Sequence, residues 1–190
     1  DEVELEIERL MDDPTILANP IAGDKVGKFK YAEDEYYSYR DHLLASVNGD
    51  FSGMKIVVDT ANGSAYRIAK DVFLALGAEV VLINDAPNGT NINVRCGSTH
   101  PEILTKVVVG YEADLGLAYD GDADRLIAVD RHGNIIDGDK IIATLAMGMK
   151  RKGELKENKV VTTVMSNMGF ENYLKENGII NNKYETFLGE

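Results

Sequence analysis

The chain has 190 residues, of which 32 are acidic and 20 basic, giving a formal net charge of −12, and 44% are apolar. That length holds one domain, or one domain with pieces of its neighbours, and the composition is that of an ordinary globular protein. The charge argues against nucleic acid or an anionic membrane surface as partner, no apolar run approaches a spanning length, and the N-terminus lacks a basic-then-apolar signal pattern.

Taken in order, Val3, Ile7, Leu10 and Met11 fall at helical spacing, and Asp12-Asp13-Pro14 stops that helix. A loop through Asn19-Pro20 and Gly23 to Gly27 follows. Tyr36, Tyr37, Arg40, Leu43 and Leu44 predict an amphipathic helix from Glu33 to Val47, with the tyrosines serving packing. Lys55 to Asp59 reads as a buried strand, Thr60 to Gly63 as a turn, Ser64 to Leu76 as a helix ending at Gly77, and Glu79 to Ile83 as a second strand. A strand, a helix and a strand this close together predict a parallel βαβ unit. After a polar loop, Pro101 opens a helix running to Glu112, with Thr99 or His100 near its cap. Asp114 to Tyr119 and Leu126 to Asp130 are strands, and His132-Gly133-Asn134 is a hairpin turn into Ile135-Ile136.

The pattern restarts near Asp137-Gly138: a helix to Lys150, a strand from Lys159 to Val164, a helix from Met168 to Asn177, then the start of another strand. The expected fold class is therefore α/β, a mixed sheet with packed helices. Three parts are expected: residues 1–33 as the tail of an upstream domain with its linker, 34–137 as a metal-binding α/β domain, and 138–190 as the start of the next one. Asp1 in place of Met and the closing Phe187-Leu188-Gly189-Glu190 both read as cuts through a longer protein.

Between two of the strands lies Asp120-Gly121-Asp122-Ala123-Asp124-Arg125. Alternate carboxylates converge on one cation only if the backbone curls around it, and Gly121 and the small Ala123 permit that curl. Three crowded acids repel one another unless an ion sits between them, and hard oxygen ligands favour Mg²⁺ or Ca²⁺. An EF-hand is excluded, because Arg125 stands where its Gly is needed and Arg131 where its bidentate Glu is needed. No Walker-type or dinucleotide-binding glycine pattern occurs. Arg125 has two compatible uses: gripping a phosphate oxygen beside the ion, or fixing an aspartate by a salt bridge.

Other residues take blander readings. The lone Cys96 excludes an internal disulfide framework, suits a reducing cytoplasm and reads as a small core residue. His42, His100 and His132 lack zinc-ligand spacing. Ser64 reads as a helix cap rather than a phosphate site, His100 as a loop or capping residue, and Ser166 and Asn167 as candidate cleft-lining residues.

The Asp-Gly-Asp-Ala-Asp-Arg loop after Leu115-Gly116-Leu117-Ala118-Tyr119 resembles the metal loop of the α-D-phosphohexomutases. The stretches Asn91 to Glu102, Asp59 to Ser64 and Val161 to Asn167 resemble the phosphoglucosamine mutase branch, and the likeness runs from Gly27 to Gly178 and fades past Asn181. The resemblance implies a four-domain parent in which a phosphoserine passes its phosphoryl group to a sugar phosphate and a bisphosphate returns the other. The reaction would interconvert glucosamine 6-phosphate and glucosamine 1-phosphate; a mannose or glucose mutase, or a non-catalytic metal-binding module, are the alternatives. It further implies Mg²⁺ as cofactor on Asp120, Asp122 and Asp124, Arg125 as the arginine beside them, and a phosphosugar as partner. The serine loop, the sugar loop and the last phosphate-gripping domain are not among these residues, so the 190 residues alone are expected to show no turnover.

Overall fold

A computed structural model describes residues 1–18, 21 and 23–184. Asn19-Pro20 of the expected loop, and the stretch 185–190, lie outside the described residues. The chain divides into two compact units, Asp1–Ser38 and Tyr39–Glu190.

In the first unit, helix α1 (Glu2–Met11) is nucleated by a capping box. Asp1 accepts from the Val3 N–H at 2.8 Å, while Glu4 reaches back to the terminal amine. Helix α2 (Pro14–Ala18) begins at the proline that stops α1. The apolar positions of α1 remain exposed. Helix α3 (Glu33–Ser46) crosses the unit boundary. Tyr36, Arg40, Leu43 and Leu44 are half-buried at helical spacing, but no residue of the helix is fully buried and Tyr37 and Tyr39 are exposed. The expected packing role for the tyrosines thus holds only in part for Tyr36.

The second unit is built on a five-stranded sheet in the order β2-β1-β3-β4-β5. Strands β1 (Lys55–Asp59), β2 (Glu79–Ile83) and β3 (Leu115–Tyr119) run parallel; β4 (Leu126–Asp130) and β5 (Ile135–Ile136) are antiparallel additions. The parallel pairings need crossovers, supplied by helix α4 (Ile68–Ala75) and helix α5 (Glu102–Gly110). Alternate residues of each strand then feed two cores. Ile56, Val58, Leu117 and Ala128 pack with Ala65 and Ala69 beneath α4, whereas Val57, Ala118 and Val129 pack with Leu104 and Val108 of α5. A strand covered on both faces reads as an unbroken apolar run, as Ile56-Val57-Val58 does. Each such side chain contributes about 1.5–3 kcal/mol of burial.

Several element ends lie one or two residues from the sequence expectation, and two helix starts differ in kind. The segment expected as one helix from Ser64 is a 3₁₀ turn, Ser64–Tyr66, followed by α4, and Gly63 stands at its cap with no side-chain hydrogen bond, so Ser64 is not a capping side chain. Pro101 itself caps α5, in place of Thr99 or His100. Helix α6 (Gly138–Lys152), capped by Asp137, leads into a separate two-stranded parallel sheet of β6 (Lys159–Thr163) and β7 (Ile180–Tyr184), joined by helix α7 (Met168–Glu176). Ala146, Phe170, Leu174 and Ile179 form its core.

Candidate metal centre

Strand β1 connects onward to β2 on one side, and β2 connects back across β1 to β3 on the other. The direction of connection therefore reverses between β1 and β3, and the carboxyl side of such a switch point is where open α/β sheets bind ligands. The acidic loop leaves β3 at that point. Its three carboxylates each place an oxygen within 4.8 Å of the others, a spread that a six-coordinate hard cation with bonds of about 2.1–2.5 Å can bridge.

The three acids are not equivalent. Asp120 is buried at 1% exposure, whereas Asp122 and Asp124 are exposed. Burial works against ionising Asp120, but hydrogen bonds from the Arg125 side chain (Nε to Oδ2, 2.5 Å) and backbone N–H (to Oδ1, 3.1 Å) outweigh it and hold its pKa below the ordinary carboxylate value. Asp124 moves the other way: the negative charge of Asp122, then the contact with Asp120, raise its pKa. Arg125, 3.5 Å from Asp124, offsets that repulsion only in part. Among the described residues no hydrogen bond is donated to the Asp122 carboxylate.

The loop's base is held by backbone contacts. Ser98 N–H donates to the Tyr119 carbonyl and Ser64 N–H to the Gly121 carbonyl, each at 2.8 Å, so the peptide just before Asp120 and the one just after Gly121 are fixed. The segments approach so closely that a Cβ at Gly63 would lie 2.2 Å from the Gly121 oxygen. Ala123 adopts the left-handed φ of 63° that curls the loop, as expected; Gly121 does not, and its smallness serves contact with Ile92 instead. Ala61, Asn62, Asn84, Asn93, Arg95 and Ala123, all non-glycine residues at positive φ, gather in the loops at this edge of the sheet. Each costs on the order of 1 kcal/mol, and such strain collects where a binding geometry is being enforced.

Sequence reasoning missed Asp59. This aspartate at the end of β1 is fully buried, and its carboxylate accepts the N–H of Ala61 and the N–H of Gly97, each at 2.9 Å. An acid closing the apolar run Ile56-Val57-Val58 was the available signal. The remaining candidates lie elsewhere. Asn167 lines a cavity with Asp139, Phe170 and Tyr173, and Ser166 lines another with Val161 and Met165; Asn167 also caps α7 and holds Asp139 through its N–H at 2.8 Å and side-chain amide at 2.7 Å. Cys96 is buried, and burial first, then the charge of Asp59, push its thiol pKa up, which makes it a poor nucleophile.

The model of the phosphoglucomutase/phosphomannomutase α/β/α domain II matches residues 35–133, and that of domain III matches residues 137–186. The chain belongs to the phosphoglucomutase/phosphomannomutase family. Two bacterial relatives, both named phosphoglucosamine mutase, are 74% identical over 94% of the chain (Fusobacterium nucleatum) and 50% identical over all of it (a Thermoanaerobacter species). A solved phosphoglucomutase/phosphomannomutase family protein from Burkholderia thailandensis is 26% identical and covers 79% of this chain and 33% of its own length, with a TM-score of 0.64. The chain spans about two fifths of its two relatives' length (40% and 42%). The acidic triad of this chain lies within the segment matched by domain II, just after β3.

Proposed function

We propose that the protein to which these residues belong is a phosphoglucosamine mutase, an isomerase interconverting glucosamine 6-phosphate and glucosamine 1-phosphate through a phosphoserine and a bisphosphate. We propose further that this chain supplies its Mg²⁺-binding loop. The observation that carries the reading is the convergence of Asp120, Asp122 and Asp124 at the sheet's switch point; 74% identity to a phosphoglucosamine mutase directs it to the amino sugar rather than to mannose or glucose. The donor set fits the ion: all three ligands are hard oxygens, and the raised pKa of Asp124 is the repulsion that a cation relieves.

Mg²⁺, when bound, would offset negative charge on a transferring phosphoryl group. The chain's own residues do the rest. Asp120, ionised and immobile, anchors one side of the site; Asp122 and Asp124 supply the remaining charge from the exposed side. Arg125 keeps Asp120 ionised, and with 66% of its side chain exposed it remains available to a phosphate oxygen. Cytoplasmic location is part of the same proposal; among the described residues no helix is long and apolar enough to cross a membrane.

The test combines two measurements. Calorimetry should show Mg²⁺ binding that is lost when Asp120, Asp122 and Asp124 are all replaced by Asn. The full-length protein should convert glucosamine 6-phosphate in a coupled assay, and a clear preference for mannose phosphate would move it to another branch of the family. Tight binding that survives the triple replacement would remove the metal assignment.

A further inference from the structure

We propose that Asp59 is a positioning residue for the cation site, a buried carboxylate that sets the geometry of Asp120 through backbone hydrogen bonds and touches neither ion nor substrate. The inference rests on the proposed metal function of the loop.

The geometry is a bracket closed on both sides of Asp120. One Asp59 oxygen holds the Ala61 N–H, in the turn whose Ser64 N–H fixes the Gly121 carbonyl. The other oxygen holds the Gly97 N–H, next to Ser98, whose own N–H fixes the Tyr119 carbonyl. The two arms are tied to each other, since Asn93 N–H donates to the Ala61 carbonyl at 3.0 Å. Gly97, at φ +72°, would place a Cβ 2.4 Å from the Tyr119 oxygen, so this arm has no room to shift.

A fully buried carboxylate is costly to keep, and it binds the backbone N–H of Gly97, 38 residues away in sequence, as well as that of its near neighbour Ala61, so it holds the two segments together. Asparagine is the same size but carries an NH₂ group on one side. It would keep one arm and turn a donor against the other, because both arms present N–H groups. Loss of a group that orients a ligand in this way typically weakens a metal by about tenfold or more.

The test uses the protein at its natural full length and Mn²⁺ as an electron-paramagnetic probe of affinity. Asp59→Asn is expected to bind Mn²⁺ at least about tenfold more weakly than the parent, while Val129→Ala, an equally buried change in the same sheet, stays within about twofold. A second measurement needs no variant: saturating Mg²⁺ should slow hydrogen exchange at the Gly97 and Ser98 amides and leave Gly133, at the distant hairpin, unchanged, because coupling is reciprocal. Parent-like Mn²⁺ affinity in Asp59→Asn, an equal loss in Val129→Ala, or unchanged exchange at Gly97 would each overturn the inference. Absence of Mn²⁺ binding by the parent itself would bring down the metal assignment and this inference with it, an outcome plainly different from the other three.

Discussion

Strand β4 runs between two aspartate-bearing turns, and they are built on opposite principles. At its far end Asp130 accepts three hydrogen bonds, from the His132 N–H, the Asn134 N–H and the Asn134 side-chain amide, each at 2.9 Å. That carboxylate is satisfied from within its own turn and asks for nothing else. At the near end three carboxylates share one arginine, and only Asp120 is fully engaged by it. Acidic turns are common, so the acid count alone discriminates poorly. What separates a structural turn from a cation site is whether the donors are already present.

The comparison can be broken most sharply at Asp122, which the turn leaves without a donor. In the full-length protein Asp122→Asn is expected to lower turnover at limiting Mg²⁺ by on the order of 100-fold, because a ligand charge is lost where charge must be offset. A coupled assay showing unchanged turnover would place the near turn in the same class as the far one.

Gly63→Ala is the next test. Its new Cβ would meet the Gly121 backbone, which cannot give way as a flexible side chain would, so the change is expected to cost roughly 1–3 kcal/mol in a denaturant melt and to weaken Mg²⁺ binding as well. At the far turn Gly133→Ala would strain a positive φ of 83°, lowering stability without touching Mg²⁺ affinity. Loss of stability in both with no change in Mg²⁺ binding in either would erase the distinction.

Arg125→Lys keeps the charge but loses the Nε–H that grips Asp120. Mg²⁺ affinity is expected to fall by roughly tenfold, read by calorimetry, with the melting temperature little changed because the side chain is exposed.

The smallest effect sharpens the far turn. Asn134, by side chain and then backbone, holds the Asp130 pKa below its ordinary value of 3.8. A depressed carboxylate contributes stability that is fully present above the unfolded-state pKa and disappears as the pH falls through the lower folded-state value. The difference in melting temperature between the parent and Asp130→Asn should therefore be constant from about pH 5 upward and shrink below pH 3.8. A difference that grew in acid would reverse the sign.

The sequence by itself determined the α/β class, most of the elements and the acidic triad, because all three are local signals. An unbroken run such as Ile56-Val57-Val58 means a strand covered on both faces, Gly77 past an apolar helix means its end, and alternate aspartates announce themselves by spacing. It did not determine what holds the triad. Whether Arg125 pairs with Asp120 depends on the curl at Ala123, and Ser64, which reads locally as a cap, instead offers its backbone N–H to a loop 57 residues away. What Asp59 binds was hidden for the same reason, although an acid closing an apolar run hinted at it. Ala61 is a local partner, two residues on, but Gly97 comes from the loop between β2 and α5, 38 residues away, and its approach to Asp59 is a decision of the tertiary fold.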